Sequence, residues 1–242
     1  MNIKIFFSAF NIDDTKNKWA VRPVFLILCL LMVFAILFSV GNPNTEEVMS
    51  IYSKMLENPT QQIPTSDIKD LLMCGLYLFS VVFYDYLAHV IAIISAAAFI
   101  YLRHPLKSPE RKKQVIKNTI ISCLFLILIF SIVNSLHESF YIIYALFISY
   151  LSMIGCSYIS GDYGFGGSFK HGFRFMKTNA PMCVVNFILV FFIFYAANFL
   201  ISVLEAGNAY KTIVAALAGV LTIYKSLVYG RMIGSLYVFG TK

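Results

Sequence analysis

The sequence predicts an all-α integral membrane protein with six transmembrane helices and amphipathic interfacial helices at the N-terminus and in loops. Hydrophobic residues make up 59% and charged residues 13% of the 242 residues, and the mean hydropathy is +0.77. Soluble domains average about 45–50% apolar and ~25% charged residues. Apolar runs long enough to cross a bilayer core of about 30 Å recur along the chain, and Lys and Arg concentrate in alternate loops. A soluble globular protein, a disordered chain and a disulfide-rich secreted module are therefore excluded.

The predicted spans belong to a single transmembrane domain over residues 22–242. Residues 1–21 precede it, and we expect them to form a cytoplasmic amphipathic segment. The first apolar run is longer than the hydrophobic region of a cleavable signal peptide and lacks a small-residue cleavage site, so we expect an uncleaved helix. The six spans are predicted at 22–41, 81–102, 118–135, 139–159, 182–204 and 212–236.

The loop after the first span carries two helix-start signals. Asn44 and Glu47 have the spacing of a capping box, which predicts a short helix over about 45–57. Ser66 caps a further start, and the apolar run behind it is too long for one upright span. We expect a membrane-edge helix over about 67–80 that leads, with or without a kink, into the second span. One long tilted helix is the alternative.

Local sequence marks two more boundaries. Ser108, Pro109 and Glu110 supply a cap, a first-position proline and an acid, which predicts a helix that runs on into the third span. The apolar stretch 119–159 is about twice the length of a span and must fold back. Its polar cluster at 134–139 predicts a tight hairpin between the third and fourth spans.

Residues 160–180 are predicted to leave the membrane. Phe and Met alternate with Lys, His and Arg over 165–177, a composition typical of an amphipathic helix that lies in the interface. The fifth span is expected to begin after Pro181.

The positive residues predict the orientation. With six spans, fourteen Lys and Arg residues fall on one side, and the other side holds Lys54, Lys69 and Lys211 only. The positive-inside rule then places both termini in the cytoplasm, and we expect a multi-pass protein of a bacterial cell membrane. The net charge of +7 reflects this orientation and an attraction to anionic lipid. A nucleic-acid partner is not expected.

Three ionisable residues fall inside predicted spans, where such groups are costly. Asp85 and His89 are four residues apart and share one helix face, so they could relay protons, bind a cation or form a structural pair. Lys225 lies in the middle of the sixth span. It could snorkel, pair with another intramembrane polar group, or contact an anionic substrate or lipid headgroup. These three residues are the candidate substrate or ion site.

The sixth span also carries a stripe of small residues at every fourth position, which permits close approach of another helix. The partner could lie in the same chain or in another subunit, so the stripe is also a candidate oligomer contact. Its residues are Ala218, Thr222, Ser226, Gly230 and Gly234.

Catalytic motifs are missing from the sequence. It contains no HExxH, no GxSxG, no Walker lysine motif and no paired acids at metal spacing. The five Cys lie in apolar runs without a CxxC. We therefore predict no catalytic residues, no metal site and no cofactor. Between an enzyme and a non-enzyme, these features favour a non-enzyme.

The run from Tyr163 to Pro181, followed by an apolar helix, resembles a group of bacterial polytopic proteins similar to the membrane domain of glycerophosphoryl diester phosphodiesterases. The resemblance covers about 160–195. The catalytic domain of those enzymes is absent, so no catalytic residue carries over.

The layout of six spans, an amphipathic N-terminus and a charged helix at 108–117 also resembles permease subunits of ABC-2 type exporters. That resemblance implies that the charged helix contacts a separate ATPase subunit. Two features depart from the exporter pattern: the loop between the fourth and fifth spans is large, and no re-entrant segment separates the fifth and sixth.

The function predicted from these features is a non-enzymatic membrane subunit that transports or handles a substrate within a complex. The alternative is a membrane scaffold, assembly or immunity protein without its own substrate path. A third class, an intramembrane lipid-modifying enzyme, would need a clustered polar pocket. The residues expected to contact a cytoplasmic partner or lipid are Arg103, Lys107, Arg111, Lys112, Lys113, Lys170, Arg174 and Lys177.

Overall fold

The computed structural model describes an all-helical chain. The described residues are 3–11, 18–40, 50–51, 53–54, 56–57, 64–103, 108–133, 141–206 and 211–240, and no strand occurs among them. The helices with assigned bounds are α1 Ile3–Phe10, α2 Lys18–Val40, α3 Thr65–Arg103, α4 Pro109–Val133, α5 Tyr141–Ile159, α6 Phe165–Ala206 and α7 Lys211–Gly240.

Three helices in the described part of the chain are long and apolar enough to cross a membrane. These segments are Tyr86–Arg103 of α3, Phe165–Leu204 of α6 and Ile213–Gly240 of α7. Arg22–Phe34 and Tyr150–Ile159 are shorter apolar stretches. The all-α fold and the membrane-type helices are thus confirmed, whereas the count of six spans stays a prediction.

The predicted start of the helix before the third span is found in the structure. α4 begins at Pro109, and the Ser108 hydroxyl accepts a hydrogen bond from the Arg111 backbone N–H at 3.1 Å, as an N-cap does. Two other predictions fall on residues that are not described. They are the hairpin at 134–139 and most of the helix at 45–57, of which only 50–51, 53–54 and 56–57 are described, all helical.

Two predicted breaks are absent from the described helices. α3 is one continuous helix of 39 residues, which is the long-helix alternative. α6 is likewise continuous over 42 residues and joins the predicted interfacial helix to the fifth span. Pro181 lies inside α6, where it removes only the bond to the carbonyl four residues earlier.

Packing explains why the first part of α6 stays helical up to Pro181. A Cβ added to Gly172 would lie 2.6 Å from Ile154 Cγ1, so the two backbones of α5 and α6 are close here. Phe175 and Met176 are buried on the same side. This segment is therefore packed against the bundle, and its interfacial location stays a prediction.

α7 is the central helix of the bundle and contacts α1, α2, α3, α5 and α6. Its closest neighbour is α3. A Cβ on Gly230 would meet the carbonyl oxygen of Ala92 and lie 2.7 Å from Ser95 Cβ, and one on Gly234 would lie 3.0 Å from the Ala96 carbonyl oxygen. Two members of the small-residue stripe thus face a helix of the same chain.

The N-terminal helix α1 docks on α7. Ala9 is fully buried, and the ring of Phe10 stacks on Phe194 with centroids 6.3 Å apart. Arg231 of α7 donates two hydrogen bonds to the Ser8 carbonyl, at 3.2 and 3.1 Å. Tyr224 donates its hydroxyl to the Phe10 carbonyl at 3.2 Å. Because carbonyls at a helix C-terminus lack intrahelical partners, these contacts satisfy the end of α1.

Candidate functional site

The turn that follows α5 is the structural basis of the candidate site. The Ser160 N–H bonds to the Cys156 carbonyl at 2.9 Å, and Gly161 then adopts φ 76°. Glycine is the residue that reaches this left-handed conformation without strain, so it ends the helix and reverses the chain. Residues 160–164 thereby connect α5 to α6 at one end of the bundle.

Polar side chains of α4 hold this turn in place. Arg111 Nη2 donates to the Ser160 carbonyl at 2.7 Å and forms a salt bridge to Asp162 Oδ1 at 2.9 Å. Gln114 Nε2 donates to the Gly161 carbonyl at 3.2 Å, and buried Asn118 donates to the Tyr158 carbonyl at 2.6 Å. These bonds fix the turn to a second helix, so its side chains have defined positions.

His171 joins the turn to the start of α6. Its ring stacks on Tyr163 with centroids 4.3 Å apart, and Nδ1 lies 3.1 Å from the Ser157 hydroxyl. The end of α7 completes the arrangement, because Tyr237 donates its hydroxyl to Ser160 Oγ at 3.3 Å. Polar groups from α5, α6 and α7 thus meet behind the turn.

In front of this cluster lies a groove of about 480 Å³, which we call the end groove. It lies where α3 ends, α6 begins and α7 ends. Its cationic residues are Arg103, the last residue of α3, and Arg174 of α6, and its one carboxylate is Asp162. The residues that line it are Ile100, Arg103, Ser160, Asp162, Tyr163, His171, Arg174, Phe175, Thr178, Asn179, Tyr237, Val238 and Gly240.

The end groove carries groups that can bind an anion. Guanidinium groups match the geometry of carboxylates and phosphates. Among the described residues, no group of three or more His, Cys, Asp or Glu side chains could hold a metal ion. The volume is within the ~300–1,000 Å³ typical of small-molecule sites.

The predicted intramembrane site lies elsewhere. His89 of α3 and Lys225 of α7 are half-buried on the two helices that pack most closely, and neither lines the end groove. Asp85 is helical, but its side chain is outside the described part of the chain. The three candidates remain predictions.

The residues expected to contact a partner or lipid divide into three groups. Arg103 and Arg174 line the end groove, whereas Arg111 bonds to the chain's own turn. Lys112, Lys113, Lys170 and Lys177 are exposed. Lys107 lies outside the described residues.

Sequence reasoning placed residues 160–180 outside the membrane but missed the bonds from α4 that hold the turn and the aromatic and amide side chains beside it. One signal was present: Asp162 is the one acid between Glu138 and Glu205. A lone carboxylate within a strongly cationic and apolar stretch is expected to have a charged partner, and that partner is Arg111.

The fold and the groove define an all-helical, membrane-type protein with a cationic groove at one end of its bundle. No known protein family, curated protein or solved structure matches the chain. The two resemblances drawn from its sequence therefore stay predictions.

Proposed function

We propose that this chain is a non-enzymatic polytopic membrane protein that handles a substrate as one subunit of a membrane complex such as an ABC-type permease. Six spans and two cytoplasmic termini in the cell membrane are part of the proposal. The observation that carries it is the end groove, where charged and aromatic groups meet at the ends of three helices.

The charges around the groove support a cytoplasmic location. Exposed Lys112 and Lys113 lie on α4, whose side chains hold the turn, and exposed Lys170 lies next to His171. Cationic residues collect on the cytoplasmic side of membrane proteins. A substrate that crosses or enters the membrane on this side would meet the groove first.

The helices α3 and α7 connect the groove to the predicted intramembrane site. Both helices end at the groove, and both carry half-buried ionisable residues further along, His89 and Lys225. Ionisable groups at membrane depth commonly mark substrate or ion pathways. In this proposal they are the second contact of the substrate, together with Asp85.

A scaffold is the second candidate, and the outer face of α6 favours it. Phe191, Phe192 and Tyr195 are exposed by 55%, 62% and 61%, and Phe191 stacks on Tyr195 with centroids 5.9 Å apart. An aromatic surface of this kind suits contact with lipid or with a neighbouring membrane protein. A scaffold would use this face and leave the groove without a ligand.

Affinity purification of the tagged full chain from its own membranes, in mild detergent, tests the proposal. A stoichiometric ATPase subunit supports the permease. Recovery of other membrane proteins alone supports the scaffold, and recovery of the chain without any stoichiometric partner overturns the proposed complex.

A charge reversal locates the partner contact in the same experiment. The double change Lys112→Glu and Lys113→Glu, at the start of α4, is expected to release the ATPase subunit. The double change Lys54→Glu and Lys69→Glu, at two exposed lysines on the predicted opposite side of the membrane, is the matched control and is expected to retain it. Equal retention by both variants would exclude the start of α4 as the docking element.

A further inference from the structure

Two guanidinium groups enter the end groove from different helices. Arg103 is the last residue of α3, and Arg174 lies in the third turn of α6. The Arg103 guanidinium carbon also lies 5.7 Å from the centroid of the Phe99 ring, which supports it from behind. A planar guanidinium donates two parallel hydrogen bonds to a phosphate or carboxylate, and two of them can hold one phosphate from two sides.

The charge balance of the groove favours an anion. Asp162 is the one carboxylate among the lining residues, and Arg111 already bonds to it at 2.9 Å. Because the lining holds two arginines and one carboxylate, its formal charge is positive. Asn179 adds a neutral donor: one of its two amide protons bonds to the Phe175 carbonyl, and an amide nitrogen has a second.

The walls of the groove are positioned by the protein's own bonds. The Tyr163 and His171 rings stack, and His171 and Tyr237 are held in turn by Ser157 and Ser160. A ligand would thus meet an ordered surface, which lowers the entropic cost of binding.

The surroundings favour an amphiphilic ligand. Ile100, Phe175 and Val238 line the groove and give it apolar walls. A molecule with a phosphate in the groove could place an apolar chain against these residues. The arrangement suits a site at the boundary between water and lipid.

We infer that the end groove binds a phosphate monoester between Arg103 and Arg174, with Asn179 as a third donor. The group can be presented by an anionic lipid headgroup or by a soluble phosphate. The inference rests on the proposed function, because it names the class of substrate for the same groove.

The test uses the purified full chain in a neutral detergent and three probes. They are a short-chain phosphatidic acid, the matching short-chain phosphatidylcholine and inorganic phosphate, and the readout is the dissociation constant of each. We expect saturable binding of phosphatidic acid and none of phosphatidylcholine, whose phosphate is a diester with a cationic substituent.

Arg174→Ala is expected to weaken phosphatidic acid binding about tenfold or more, the usual effect of one charge-assisted hydrogen-bonding group. Arg174 is exposed, so the variant should keep the fold, and a thermal melt checks this. Lys69→Ala, at an exposed lysine of α3 outside the groove lining, is the matched control and should leave binding unchanged. Arg174→Lys should restore part of the affinity.

Each outcome decides the inference. Tight binding of phosphatidic acid with weak binding of inorganic phosphate supports a lipid headgroup, and equal binding of both supports a soluble phosphate. No saturable binding, or an equal loss in Lys69→Ala and Arg174→Ala, overturns the site. The binding assay contains no partner subunit. Failure to bind phosphatidic acid would therefore not count against the proposed complex, and failure to recover the complex would not count against phosphate binding.

Discussion

Helices α6 and α7 are both long and apolar, yet they occupy opposite environments. In the most apolar 18-residue stretch of α6, 11% of residues are buried within the protein, against 39% in α7. α6 presents large aromatic side chains outward, whereas α7 presents glycines to α3. Both are apolar enough to cross a membrane, and α6 is the more apolar of the two. The size of the side chains decides which helix becomes the centre of the bundle, because small residues let backbones approach.

The largest expected effect lies on the packed side of this comparison. Gly230→Leu places a side chain where the Ala92 carbonyl oxygen and Ser95 Cβ already lie. Overpacking against backbone forces α3 and α7 apart, and we expect a loss of about 3 kcal/mol or more in the free energy of unfolding. Thermal unfolding in detergent, followed by size-exclusion chromatography, measures it.

Gly75→Leu is the matched control for that change. Gly75 lies in α3, and a Cβ there meets nothing within 4 Å. Leucine also has a higher helix propensity than glycine, so the control should keep or slightly raise the melting temperature. Equal losses in both variants would mean that close contact between α3 and α7 is not what makes α7 central.

A second prediction concerns the charge buried on α7. Arg231 is 7% exposed, bonds to the Ser8 carbonyl and lies 5.5 Å from the Phe99 ring centroid. Arg231→Met keeps most of the volume and removes the donors, and we expect a loss of about 1.5–3 kcal/mol. α1 should also become cleavable by protease, because its C-terminal carbonyls lose their partner.

Tyr224→Phe is a milder test of the contact between α1 and α7, since it removes one hydroxyl bonded to the Phe10 carbonyl. Its expected cost is about 1 kcal/mol. If α1 stays protected in Arg231→Met, the N-terminal helix is held by the packing of Ala9 and Phe10 and not by the arginine.

The third prediction addresses the end where α6 begins. Arg111 and Asp162 form a salt bridge that is partly exposed, so its net contribution is small. A double-mutant cycle with Arg111→Ala and Asp162→Asn should give a coupling energy of about 1 kcal/mol or less, reduced at high salt. Lys112→Ala with Asp162→Asn is the control cycle and should show no coupling. Coupling of equal size in both cycles would mean that the coupling comes from the overall positive charge of α4 and not from the salt bridge between Arg111 and Asp162.

These elements differ in how far the sequence predicts them. The cap at Ser108 and the stripe at Gly230 and Gly234 are local patterns, and local patterns carry their own signal. The continuity of α6 through Pro181 is not local. It depends on the packing of Gly172 against Ile154, which lies in another helix.

The end groove is harder to predict from the sequence than the continuity of α6. Its cations come from Arg103 and Arg174, which are 71 positions apart in the printed chain. Both line one groove, beside the turn that Gly161 forms and Arg111 holds. From the sequence, each arginine is predicted only to be a charge at the membrane interface. The fold places both on the wall of one groove, and this makes the candidate site.

The smallest expected effect is on the exposed side of the comparison. Phe192→Ala removes a ring that is 62% exposed, and the change should alter the free energy of unfolding of the isolated chain by about 0.5 kcal/mol or less. Phe194→Ala, two positions further along α6, is the matched control, since its ring is buried against Phe10 and Tyr224. It should cause a clear loss.

Thermal unfolding of both variants, alone and within the purified complex, separates two roles for the face. A Phe192→Ala defect that occurs only in the complex means that a partner covers α6, as the scaffold requires. No defect in either preparation leaves α6 as a lipid-facing helix and α7 as the structural centre.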